Sequence, residues 1–141
     1  MTLVTIYDHT RARFLSGANA VGDTYKINLY TVLPENATAT TKAAAESGAT
    51  QLSTANGYTQ DSKTISGLAV TVDSNVGVLD GTDVSWTASG AGISAAFALV
   101  YNDTDTDDPP VFRYDFEGTV TADAGDPFQI IWSALGIAQL T

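Results

Sequence analysis

Residues 111–117 read Val111-Phe112-Arg113-Tyr114-Asp115-Phe116-Glu117, and their alternation decides the fold. Successive side chains of a strand point to opposite faces, so Phe112, Tyr114 and Phe116 share one face. Val111, Arg113, Asp115 and Glu117 share the other. The aromatic face predicts a core-facing side and the mixed face an outward, wet one. The same period of two recurs along the chain. TYKINLYTV (residues 24–32) aligns Tyr25, Ile27 and Leu29, TISGLAVTV (64–72) aligns Leu68, Val70 and Val72, and TDVSWTA (82–88) aligns Val84 with Trp86. GISAAFALVY (92–101) is apolar on both faces, which predicts a central strand covered on both sides. PFQIIWSA (127–134) adds Phe128, Ile130 and Trp132, and LGIAQL (135–140) closes the chain.

Turn signals separate these runs: Asn56-Gly57, Asp80-Gly81, Gly90-Ala91-Gly92, Asp108-Pro109-Pro110 and Ala124-Gly125-Asp126-Pro127. Asn-Gly suits a type I′ turn because both residues tolerate positive φ. One helix is predicted over Thr41–Ser47, with Thr40 or Thr41 as N-cap and Gly48 as its stop. Many short, evenly spaced strands predict an all-β domain, a β-sandwich or jelly-roll-like barrel with that one short helix. The β-domain spans residues 24–141. Residues 1–23 mix basic, aromatic and small residues without sustained periodicity, and read as an extended N-terminal arm with a short paired piece at 2–7.

The length of 141 residues suits a single domain able to bury its own core. There is no cysteine, which excludes a disulfide scaffold or a thiolate metal site. No apolar run reaches the ~18 residues of a membrane helix, and the start lacks the basic-then-apolar pattern of a secretory signal. A soluble protein made in the cytoplasm is expected, with no membrane partner. The net charge of −10 argues against nucleic acid, whose binding needs a lysine and arginine footprint. Charge is also unevenly placed. Residues 1–63 are neutral, whereas residues 64–141 hold eleven acids and Arg113 as their only base. An acidic, self-repelling second half is expected to face solvent and the arm to face a partner.

Candidate chemistry is sparse. His9 is the only histidine, so any serine nucleophile would depend on it. Asp115 and Glu117 lie two residues apart, a separation of about 7 Å that would suit a glycosidase pair, but they share a face read as outer surface. Asp103, Asp105 and Asp107 begin like a calcium loop. The pattern then fails, because Asp108 stands where glycine is needed and Tyr114 where glutamate is needed. The reading is therefore non-enzymatic, with no catalytic residue, metal or cofactor. Tyr30, Tyr58 and Tyr101 are the aromatic residues read as least inward and best placed for contacts.

The order YDHTRARFLSGANAVGDTYKINLYT, ANGYT, DVSWTASGAGISAAFALVYNDT, FRYDFEG, DPFQIIWSALGIAQL resembles a family of small virion structural proteins of tailed bacteriophages. The strongest pieces are 56–59, 83–86, 98–104 and 128–140. The resemblance implies a capsid decoration, or cement, protein on the outer surface of a phage head. Its implied partners are the major capsid protein and other copies of itself in a homotrimer, and its implied location is the virion. Within the arm, Arg11, Arg13, Phe14 and Leu15 are the expected capsid contacts. Alternative readings are a virion-surface, lectin-like glycan-binding module and a tail or neck structural protein.

Overall fold

The computed structural model describes residues 3–133 and 136–140. Along the chain run β1 (Leu3–Ile6), α1 (Thr10–Ser16), β2 (Tyr25–Val32), α2 (Lys42–Ala45), β3 (Thr50–Gln51), β4 (Thr64–Ile65) and β5 (Ala69–Asp73). There follow β6 (Val76–Asp80), β7 (Val84–Thr87), β8 (Ile93–Asn102), β9 (Pro110–Ala122), β10 (Pro127–Ile130) and β11 (Ala138–Leu140). Strands dominate. The largest sheet has the order β1-β9-β8-β2-β3, with β4 pairing the start of β2 along the same edge as β3. β7 pairs β10, and β5, β6 and β11 form a third sheet. Every pairing is antiparallel among the described residues, and none of the three sheets closes into a barrel. Of the LGIAQL stretch, Leu135 lies outside the described residues.

The main core lies between the large sheet and the two smaller ones. Ile27 and Leu29 from β2, Val100 from β8, and Phe112 and Tyr114 from β9 meet Leu79, Val84, Trp86, Phe128 and Ile130. Trp86 packs edge-on against Phe128, with ring centroids 6.1 Å apart, and tilts against Tyr58 at 6.0 Å. Gly57 passes so close to β7 that a Cβ there would stand 2.0 Å from the Thr87 carbonyl oxygen. Asn56 and Gly57 both have positive φ, as the dipeptide predicts. β8 is central, between β9 and β2, and both its faces are covered as expected.

The reverse face of the large sheet departs from the reading of residues 111–117. A second cluster of Tyr7, Tyr30, Leu33, Ala39, Ala45 and Leu99 sits there, roofed by the segment that carries α2. Arg113 is therefore buried rather than outward, and Val111 is buried as well, in the main core, where β9 slips in register between Val100↔Phe112 and Tyr101↔Pro110. The Arg113 guanidinium donates from Nε and Nη2 to the Leu33 carbonyl, at 3.0 and 2.8 Å, and lies 4.8 Å over the Phe97 ring. Helix α2 begins at the predicted cap: the Thr41 hydroxyl accepts from the Ala44 N–H.

Three further expectations change. The segment before Thr24 is not an extended arm. Its first strand pairs with β9 from Leu3↔Asp115 to Ile6↔Phe112, and a second helix, α1, follows. Tyr7, Thr10 and Asn19 are buried in doing so, which ties this segment into the body. Val70 and Val72 are exposed, because β5 is a sheet edge that no strand or helix covers among the described residues. Trp132 follows β10 and is only half-buried, packed 5.6 Å from Tyr114.

Candidate interaction surface

Helix α1 is set by its flanks. Its last turn closes on Gly17, whose φ of 78° and N–H to the Phe14 carbonyl make a left-handed cap. The chain then returns so that the Asn19 N–H meets the Arg13 carbonyl at 3.0 Å. This places the four expected contact residues differently from one another. Phe14 turns inward and stacks on Tyr25 at 6.4 Å. Arg13 also faces the protein, donating to Asn19 Oδ1, the Ala18 carbonyl and the Asp105 carboxylate. Arg11 and Leu15 remain outward; Leu15 is 90% exposed, and Arg11 makes no ion pair among the described residues. Both line a groove of about 530 Å³ with Phe14, Val21 and Val70.

The acidic loop after β8 lies against this helix. Lys26 holds Asp103 at 2.8 Å, Arg13 holds Asp105, and the Lys42 N–H donates to the Asp107 carbonyl. Asn102, fully buried, donates to Asn19 Oδ1 and Asp23 Oδ2 at 3.1 and 2.8 Å. The Arg13 bond keeps the Asp105 carboxyl below the usual range. The loop therefore answers bases from the first half of the chain, so arm and acidic loop sit side by side rather than on opposite faces. No cluster of three or more histidine, aspartate or glutamate side chains suited to a metal occurs among the described residues.

The remaining chemical candidates are dispersed. His9 donates from Nε2 to the Pro110 carbonyl at 3.0 Å, since a carbonyl can only accept. Its Nδ1 is buried with no hydrogen-bond partner among the described residues, and burial lowers its pKa. Asp115 and Glu117 do not form a simple same-face pair. Between Ala95↔Val120 and Phe97↔Asp115 the partner strand contributes four residues against one, and Glu117 and Gly118 have φ of 58° and 154°. This outsized bulge turns β9 at the two carboxylates. The Asp115 carboxylate accepts from the Glu117 N–H.

One polar cluster escaped the sequence reading. Asp61 Oδ1 accepts from Asn28 Nδ2 at 2.6 Å, Lys42 Nζ at 2.5 Å and the Tyr101 hydroxyl at 2.9 Å. Burial pushes the Asp61 carboxyl up, but these three donors outweigh it and hold it below its ordinary value. Tyr30, Tyr58 and Tyr101, read as contact residues, are each almost wholly buried around this cluster. The Tyr30 hydroxyl donates to Glu46, and Tyr58 accepts from the Leu29 N–H. The signal available was Asn28, a polar residue amid the apolar pattern of β2.

A second groove, of about 540 Å³, runs beside β10 and is lined by Val4, Tyr114, Phe116, Gln129, Trp132 and Ser133 among others. Comparison of the chain with family models, curated proteins and solved structures found no match in any of the three.

Proposed function

We propose that the chain is a non-enzymatic virion structural protein, a decoration protein that seats on the outer surface of a phage head and binds its major capsid protein as a homotrimer. The resemblance of the sequence to such proteins motivates the reading. The observation that carries it is the outward pair on α1: Leu15 is almost fully exposed beside an unpaired Arg11, at the rim of an apolar groove. A helix braced from behind by Phe14 and Arg13 presents such a pair without a further ordering cost. An aliphatic anchor beside a guanidinium suits a surface with a pocket and a carboxylate. Arg13 and Phe14 support this contact from inside the fold. In the same reading the body is a β-sandwich, with the two smaller sheets as the layer facing the large one.

The test is occupancy on purified heads, measured by co-sedimentation of the labelled protein. Leu15→Asp and Arg11→Glu should each lower occupancy at least about tenfold with circular dichroism unchanged, the loss expected of a central contact. Wild-type occupancy in both variants would refute the contact. Binding confined to a neck or tail would favour that role instead. The aromatic groove at Trp132 supports a second reading, glycan binding. It predicts saturable binding on a glycan array that Trp132→Ala removes.

A further inference from the structure

The β5–β6 hairpin leaves one sheet edge undefended. Its strands join through Ser74 and Asn75, with φ of 50° and 68°, a two-residue type I′ turn closed by Asp73↔Val76. A two-residue hairpin closes on a hydrogen-bonded pair, and the bonding alternates from there. Asp73, Thr71 and Ala69 therefore turn their N–H and C=O toward β6, and Val70 and Val72 turn theirs outward. Among the described residues, no backbone group of residues 69–73 bonds outside that ladder. All five residues of β5 are exposed, on both faces of the strand. Val70 and Val72, 49% and 76% exposed, share a face, and Val70 continues it into the groove beside Leu15 and Val21. Edge strands of folded proteins are ordinarily guarded by lysine, proline, a bulge or a covering segment. Among the described residues β5 has none of these, its one charge being Asp73 at the turn, and its Val-Thr-Val centre strongly favours strand pairing.

We propose that β5 is a strand-accepting edge that binds an extended segment of a partner protein. The partner segment carries aliphatic side chains against Val70 and Val72 and basic residues at its two ends. Charge selects this occupant over a second copy. Residues 64–112 contain no lysine or arginine, and Asp73, Asp80 and Asp83 flank the hairpin. Two copies paired antiparallel about Thr71 would place Asp73 of one opposite Ala69 of the other. Ala69 is already opposite Asp80, so the two carboxylates would stand on one face, two strands or about 10 Å apart. Lysine at the ends of a foreign strand turns that repulsion into attraction. The inference rests on the hairpin alone and stands whether or not the protein seats on a particle.

The probe is a five-residue peptide with a fluorophore at one end, lysine-valine-threonine-valine-lysine, whose lysines fall opposite Asp73 and Ala69 when its valines face Val72 and Val70, titrated into the full chain. Binding is followed by fluorescence anisotropy and by amide shifts of Val70 and Val72. Saturable binding with both amides shifted is expected, and the same peptide with glutamate ends should bind about tenfold more weakly. Val72→Pro should abolish binding while preserving the fold, because the Val72 N–H faces away from β6 and proline is tolerated there. If that variant does not fold, a peptide N-methylated at its pairing amides gives the same test on the native chain. Unchanged binding by Val72→Pro or by the N-methylated peptide overturns the proposal, as does equal affinity for both end charges. Sedimentation showing a dimer that Val72→Pro dissociates overturns it in favour of a second copy.

Discussion

Replacing Arg113 with alanine probes the covered reverse face of the large sheet. The side chain is 7% exposed, forks onto the Leu33 carbonyl and lies over the Phe97 ring, with Asp115 3.9 Å away. A hydrogen bond from a charged donor contributes about 1.5–3 kcal/mol, and the two bonds share one acceptor, so they count nearly as one. The contact with the ring adds about 1 kcal/mol. Burial of the three-carbon stem adds about 2 kcal/mol. Opposing these is the cost of holding the charge out of water, which substitution relieves. A net loss of about 3 kcal/mol remains, or a melting temperature lower by about 10 °C for a chain of this size. Arg113→Met keeps the stem but leaves the Leu33 carbonyl without its donor, and should cost about 1–2 kcal/mol. Urea unfolding followed by circular dichroism measures both. A loss below about 1 kcal/mol for Arg113→Ala would mean that the guanidinium lies in solvent and that the segment carrying α2 does not roof the sheet.

Asp61→Ala leaves the buried Asn28 amide and Tyr101 hydroxyl without their acceptor, and should cost about 2 kcal/mol, moderated because water can enter the half-exposed site. Asp61→Asn should cost less, since asparagine keeps both an acceptor and tolerance for the φ of 55°. The folded Asp61 carboxyl titrates below the unfolded value of 3.8, so its contribution is present at neutral pH and is lost as pH falls through and below that value. His9 acts higher on the scale. Its folded pKa lies below the unfolded 6.5, so between the two the unfolded chain binds a proton that the folded chain refuses. Stability should fall as pH drops through the unfolded value and level off below the folded one, and His9→Gln should flatten that slope; equal slopes would exonerate His9.

Local period located most strands but not what covers them. β8 was legible because a strand apolar on both faces has only one comfortable place, the middle of a covered sheet. The Thr41 cap and the Asn56-Gly57 turn were legible because their chemistry is local. Arg113 was misread because alternation separates two faces without saying whether the second face has a roof, and that roof comes from residues 33–49; Val111 was misread because β9 slips in register beside it, which strict alternation does not foresee. Val70 and Val72 alternate as well as Phe112 and Tyr114 do, yet they lie exposed on an edge strand. The first two dozen residues were opaque for another reason. β1 is defined by a partner more than one hundred residues away, and α1 is too short to show a helical period. Of the four expected contact residues, the sequence showed their chemistry but not their directions. Those are set by the Gly17 cap and by the pull of Asp105 on Arg13.

The pairing of β1 with β9 joins residues 3–6 to residues 112–115. During synthesis the first strand of the chain must therefore wait for almost the last. At about 5–20 residues per second, the ribosome needs roughly 5–20 s to deliver the partner of β1. Throughout that interval Leu3–Ile6 have no strand to pair with. Once β9 has emerged, its outer edge stays open until the leading segment folds back. Contacts so distant in sequence also slow folding after release, because a long loop must close before they contribute. A bulky fusion placed directly before β1 should hinder this late docking, so a newly made chain should collect as a compact form open along β9 that matures only when residues 3–6 return to it.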